Sequence, residues 1–214
     1  AAFSVWLQRC ARTDDVAVGS VAANRRTAGR ERAIGYFANT VVLRLNLADA
    51  GTVRDVLNRS RLVVTGAYDH QDVPFERVME ALIAQGHGTP AVPSNLMIVW
   101  EHDPLADLAF RDITAGHLPV DDVAVEFDLT LLVLNRREGI ELVMLYDKEI
   151  FDGSTVDRML GQILILVQAI VAHPTMLLAE LPLMTEAERR LVLEDWNATG
   201  VELSCERSVP ELLA

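Results

Sequence analysis

Ile34-Gly35-Tyr36-Phe37-Ala38-Asn39-Thr40-Val41-Val42-Leu43-Arg44 changes character halfway along. Its first half is an aromatic turn entered through a glycine. Its second half alternates, with Val41, Leu43, Leu45 and Leu47 to one side and Thr40, Val42, Arg44 and Asn46 to the other. A period of two predicts a half-buried strand, because successive side chains of an extended chain leave on opposite faces. Asn39 stands at the junction. Its amide either points into a cleft or satisfies local backbone at the strand's edge.

Downstream, Thr52 is a predicted N-cap for a helix burying Val53, Val56, Leu57, Val63 and Val64. His70-Gln71-Asp72-Val73-Pro74-Phe75-Glu76 then reads as a turn into a second helix. Pro74 suits the first helical position, where its fixed φ fits and its missing N–H is not needed. Phe75, Val78, Met79, Leu82 and Ile83 form that helix's apolar stripe. Gly86, Gly88, Pro90 and Pro93 mark a loop. The apolar run at 96–100 predicts a strand covered on both faces, with another strand near 108–113. Residues 127–134 and 140–146 predict a hairpin joined through 135–139. A long core helix follows from about 154 to 172, stopping before Pro174. Residues 175–183 read as extended, and Thr185 as an N-cap with acidic residues in the first turn. Beyond Trp196 the chain is irregular until a new element near 209–213.

Upstream, residues 1–11 read as the end of a helix, and 16–18 as a short strand entering the loop Gly19-Ser20-Val21-Ala22-Ala23-Asn24-Arg25. Strands and helices are interspersed, so the expected class is α/β, with helices packed on a mixed β-sheet. The lack of an initiator Met, and a start that already resembles helix interior, lead to the expectation that the chain is a piece of something longer.

The net charge of −12 and pI near 4.8 disfavour nucleic acid and anionic lipid as partners. Of 19 basic residues only Lys148 is lysine, a bias that favours a GC-rich, bacterial coding sequence. No uncharged apolar run of about 18 residues occurs, which argues against a membrane span. Cys10 and Cys205 have neither disulfide nor metal spacing, so a reducing, cytoplasmic setting is expected.

The motifs of several enzyme classes are absent. There is no Gly-x-Ser-x-Gly nucleophile turn, no phosphate-binding glycine loop and no pair of His at metal-binding spacing. His70 beside Asp72 is a tempting base and orienting carboxylate. Positions two apart seldom give that geometry, and the competing reading is a turn whose side chains cap backbone ahead of Pro74. Arg25 and Arg44 could clamp a phosphate, but structural salt bridges are favoured in so acidic a chain. Asp128 and Asp147, at strand ends, are read as backbone or Arg anchors.

These stretches together resemble the condensation domains of nonribosomal peptide synthetases. Residues 18–25 are similar to the family's Val-Gly-x-x-x-x-x-Arg segment, residues 34–40 to Ile-Gly-x-Phe-x-Asn-Thr, and residues 70–76 to His-Gln-Asp-x-Pro-Phe-Glu. Phe127-Asp128-Leu129-Thr130 and residues 146–152 resemble its later strand pair. Leu181-Pro182-Leu183-Met184-Thr185-Glu186-Ala187-Glu188-Arg189 and Trp196-Asn197-Ala198-Thr199 resemble the linker to an adenylation domain, and Val209-Pro210-Glu211-Leu212 that domain's opening helix. Two departures stand out. The Arg-Asp-x-Ser-Arg-x-Pro block is represented only by residues 86–93, and the family's His-His-x-x-x-Asp-Gly motif has no counterpart, since no two His are adjacent.

The resemblance implies a chloramphenicol-acetyltransferase-like lobe, the second of two that enclose a substrate tunnel. It implies residues 1–183 as C-terminal lobe, 184–207 as linker and 208–214 as the start of an adenylation domain. Asn39 and Asn95 are expected to face the tunnel. Gly19 and Arg25 are expected to shape a loop crossing to the other lobe, with His70 and Asp72 architectural. The expected partners are the N-terminal lobe, carrier domains bearing phosphopantetheine arms and the adenylation domain, with no cofactor bound directly. Alternatives are a noncatalytic recruitment module, or an epimerisation or acyltransferase relative.

Overall fold

The structure is a computed structural model that describes residues 1–26, 29–86, 95–102 and 124–200. The expectations for 87–94, for a strand near 108–113 and for 209–213 lie outside those residues. Among the described residues, helices and strands follow one another as α1 (Ala2–Ala11), β1 (Asp15–Ala22), β2 (Asn39–Asn46), α2 (Val53–Asp69), α3 (Phe75–Ala84), β3 (Leu96–His102), β4 (Leu129–Arg136), β5 (Gly139–Tyr146), α4 (Gly153–Ala172) and the short α5 (Glu186–Arg190).

The strands form one sheet in the order β2-β1-β3-β4-β5. The outer pairs β1/β2 and β4/β5 are antiparallel, and β1/β3 and β3/β4 are parallel. The α/β class and mixed sheet expected from the sequence are therefore present. Alternation along β2 places Leu43, Leu45 and Leu47 on the face that meets the helices. There they join Phe3, Trp6, Val18, Val56, Leu129, Leu131, Ile163 and Leu166 in one core. Phe3 and Trp6 stack at 5.8 Å, and Trp6 Nε1 donates to Gln162 Oε1 at 2.9 Å, tying α1 to α4. By length and hydropathy α4 could span a membrane, yet Val156, Ile163, Leu166 and Ile170 are buried in this core.

Helix starts follow their local chemistry. Thr52 and Asp55 form a reciprocal capping box: Asp55 N donates to Thr52 Oγ1 at 3.3 Å, and Thr52 N to Asp55 Oδ2 at 2.8 Å. The Thr52 hydroxyl also donates to Asp55 Oδ2 at 2.8 Å, and this bond first, the Thr52 backbone N–H second, holds the Asp55 carboxyl below its ordinary range. Thr185 and Glu188 repeat the arrangement at α5, with the same effect on Glu188. Pro74 sits one step outside α3, as its N-cap.

Five further expectations need correction. The first strand continues to Ala22, so Gly19 lies within β1, paired with Val42 and Met97, and the loop begins only after Ala22. There the missing side chain matters: a Cβ on Gly19 would lie 2.2 Å from Met97 Sδ. The run at 96–100 is not covered on both faces, since only Met97 of β3 is buried and Trp100 is 52% exposed. The stripe of α3 is not core, all ten of its residues being half-buried or exposed. Leu57 and Val64 of α2 also remain exposed. Residues 175–183 are extended only in part. Leu177 bridges Thr52, Leu178 N donates to Gly51 O at 3.0 Å, and Leu178–Glu180 forms a 3₁₀ turn.

Candidate functional site

The segments 34–44 and 70–76 meet at the end of the sheet where β1 stops and β2 starts, because the antiparallel register sets Ala22 opposite Asn39. Asn39 supplies the joint. Its Nδ2 donates to the carbonyls of Gln71 at 2.8 Å and Val73 at 2.7 Å, and its Oδ1 accepts from Phe75 N at 3.3 Å. Of the two readings open from sequence, backbone satisfaction is the one the hydrogen bonds show. The backbone satisfied is that of residues 71–75, more than thirty positions away in sequence.

Arg25 organises the other side. Its Nη1 donates to Arg30 O at 2.8 Å and Ala33 O at 2.7 Å, its Nη2 to Gly35 O at 2.9 Å, and the guanidinium lies 4.8 Å from the Phe37 ring centroid. The expected carboxylate partner is replaced by three carbonyls. Five donors in a fixed fork suit that task, and the planar group stacks on the aromatic face. Arg30 sits 6.0 Å from the same ring and pairs with Asp72 at 3.7 Å. Arg26 reaches Tyr68 O at 3.2 Å and Asp69 at 3.4 Å. Arg44 makes the expected ion pair, with Asp15, and the bond holds that carboxyl below its usual range.

His70 and Asp72 do not form a catalytic pair. His70 ends α2 through its backbone, donating to Ala67 O at 3.3 Å and accepting from Val73 N at 3.2 Å. Its ring makes no hydrogen bond among the described residues. Asp72 is exposed and faces Arg30. The side chain that caps here is Gln71, 4% exposed, whose Nε2 donates to Tyr68 O at 2.7 Å. The turn reading expected side chains of 70–72 to cap backbone, without singling one out, and Gln71 is the one that does.

Asn95 lies elsewhere. Its Nδ2 donates to Asp128 Oδ2 at 2.6 Å, and its carbonyl accepts from Leu129 N at 3.0 Å. Gly19 pairs with Met97, so Asn95 is level with Ala17, whereas Asn39 is level with Ala22. Five steps of about 3.3 Å separate their levels by about 17 Å along the sheet. The two asparagines are not brought together. Asp147 is the backbone anchor it was expected to be, accepting from Glu149 N at 2.8 Å.

Beside the joint lies an open cleft of about 320 Å³, whose lining includes Tyr36, Asn39, Thr40, Asp72 and Glu76. A larger cleft, about 450 Å³, is lined by Gln8, Arg9, Arg12, Leu47 and Leu178, where α1 ends and β2 has finished. It shares no residue with either segment of the joint, so its size gives it no claim on their chemistry. No group of three potential metal ligands is assembled among the described residues.

Residues 1–193 match the family described as Condensation domain. The chain belongs to that family. It is 34% identical, over its whole length, to a linear gramicidin synthase of Brevibacillus parabrevis, and 33% identical over 94% of its length to chondramide synthase cmdD of Chondromyces crocatus. It spans only 4% and 5% of those relatives. Among solved structures, it is similar to a four-domain nonribosomal peptide synthetase bound to AMP and glycine. The TM-score is 0.75 at 20% identity, covering 88% of this chain and 15% of that one. It is similar also to the first condensation domain of the CDA synthetase, with TM-score 0.64 at 16% identity, covering 86% of this chain and 41% of that one. These likenesses establish the fold, which accounts for about two-fifths of the latter chain.

Proposed function

We propose that this chain is the C-terminal lobe of a nonribosomal peptide synthetase condensation domain. Residues 1–183 form the lobe, 184–207 the linker and 208–214 the start of an adenylation domain. In the complete domain, the amine of an acceptor aminoacyl thioester attacks a donor acyl thioester. An amide bond forms, the donor's carbon–sulfur bond breaks, and the proton lost by the amine accompanies the released thiol. Both substrates arrive on phosphopantetheine arms of carrier domains, in the cytoplasm. The lobe contributes one wall of the tunnel and so the alignment of two reactants, worth several kcal/mol of barrier. Asn39 and Asn95 mark two points along that wall rather than one site, and the loop held by Arg25 crosses to the N-terminal lobe.

The observation that carries this reading is the family match over residues 1–193. The test is a pair of reactions with loaded carriers. The complete condensation domain forms dipeptidyl thioester, detected by intact-protein mass spectrometry, and this chain alone forms none. Product from the chain alone would overturn the division of labour; no product from the complete domain would favour a recruitment module. The fold is compatible with either, since the X-domain solved in a complex with OxyB shares it at TM-score 0.71 and 22% identity.

A further inference from the structure

We propose that Asn39 is a positioning residue: its side chain locks the turn at 70–75 and the start of α3 onto β2, and it acts on condensation through that lock rather than by touching substrate. This rests on the tunnel-wall reading above.

An amide has two N–H groups and one carbonyl oxygen. In Asn39 both donors are directed at carbonyls, those of Gln71 and Val73, and the oxygen accepts from Phe75 N. No donor remains for a ligand. The Phe75 N–H lies in the first turn of α3, where backbone donors lack intrahelical partners, and Pro74 offers no side-chain cap. Asn39 supplies that cap from a different element.

The lock matters because, among the described residues, α3 is lightly packed: none of its ten residues is buried, and only Phe75, Met79 and Leu82 are half-buried. The polar lock adds a directional hold at its first turn. Residues 33–37 are pinned from the other side by Arg25, through the carbonyls of Ala33 and Gly35 and the Phe37 ring. Between the two clamps Tyr36 stands 91% exposed, at the rim of the cleft that Thr40, Asp72 and Glu76 also line. A wall segment built this way keeps its shape without a core beneath it.

The test compares the complete condensation protein with its Asn39→Asp and Asn39→Ala variants. Aspartate keeps the size and the acceptor but loses both donors and sets an anion against two carbonyls. Alanine removes the lock without that repulsion, should the first variant fail to fold. Amide hydrogen exchange at 70–84 is expected to accelerate at least about tenfold, while exchange in β4 and α4 stays unchanged. The kcat for dipeptide formation is expected to fall by up to about 100-fold, as a misplacement near 1 Å produces. KM for both loaded carriers stays within about twofold, and the loss is equal for acceptors of different side chain. Lost activity with unchanged exchange at 70–84 would overturn the proposal and make Asn39 a substrate contact. Faster exchange with unchanged kcat would overturn it by making the lock purely structural. If the unmodified protein forms no dipeptide, the functional reading fails, and the exchange data still decide whether the lock exists.

Discussion

The two ends of β2 are held by different physics. Beyond Arg44, Leu45 and Leu47 sink into a core shared with α1, α2 and α4, where many interchangeable apolar contacts exclude water. Before Val41, the chain is held by few contacts, each directional: one asparagine amide and one guanidinium, with a buried glutamine amide fixing the turn that the asparagine grips. An apolar core tolerates small adjustments and spreads its stability over many side chains. A polar lock fixes a shape more sharply and concentrates that dependence in single atoms. The core end therefore sets whether the chain folds, and the locked end sets what it presents.

The largest expected effect breaks the core end. Leu166 is fully buried on α4, and Leu166→Ala is expected to cost about 2–5 kcal/mol through lost transfer energy and the cavity left behind. Urea unfolding followed by far-UV circular dichroism measures this. The midpoint falls with an unchanged slope. A loss below about 1 kcal/mol would mean that α4 is not the structural centre of the fold.

A smaller effect probes the sheet between the two ends. Gly19→Ala places a Cβ 2.2 Å from Met97 Sδ, and Met97, 2% exposed, has little room to withdraw. Overpacking of this kind costs about 1–3 kcal/mol. Pairing it with Met97→Ala is expected to recover part of the loss, so a double-mutant cycle shows non-additivity. Strict additivity would place the strain elsewhere.

The core end was far more legible in sequence than the locked end. Alternation at 41–47, the box at Thr52 and Asp55, the hairpin and the long α4 each depend on neighbours a few residues apart, and local pattern reports such neighbours directly. The family resemblance was legible too, and the match over residues 1–193 bears the family out. The failures share a different cause. The run at 96–100 and the stripe of α3 show that a segment is apolar, but not which surfaces other parts of the chain cover. Arg25 was expected to seek a carboxylate because carboxylates are visible in sequence. Its carbonyl partners are not, since every residue carries one. Asn39 and Asn95 carry the same side chain near strand starts, and only the sheet register reveals that they occupy different levels.

The smallest expected effect lies on the sheet surface and tests whether exposed polar contacts are as weak as buried ones are decisive. Arg44 reaches diagonally across the β1/β2 pair to Asp15, on side chains 72% and 40% exposed. Ion pairs so open to water contribute little, because solvent and salt screen them. Arg44→Met is therefore expected to lower the unfolding midpoint at pH 7 and physiological salt only slightly. The acid limb should still register the pair. The hydrogen bond from Arg44 holds the Asp15 carboxyl below its ordinary value of 3.8, so its contribution is present above that value and lost as pH falls through the lower folded one. The parent protein should thus lose slightly more stability than the variant over that acid interval, and high salt should erase the difference. A large loss at neutral pH would contradict the comparison, showing that directional polar contacts hold this fold even where water surrounds them.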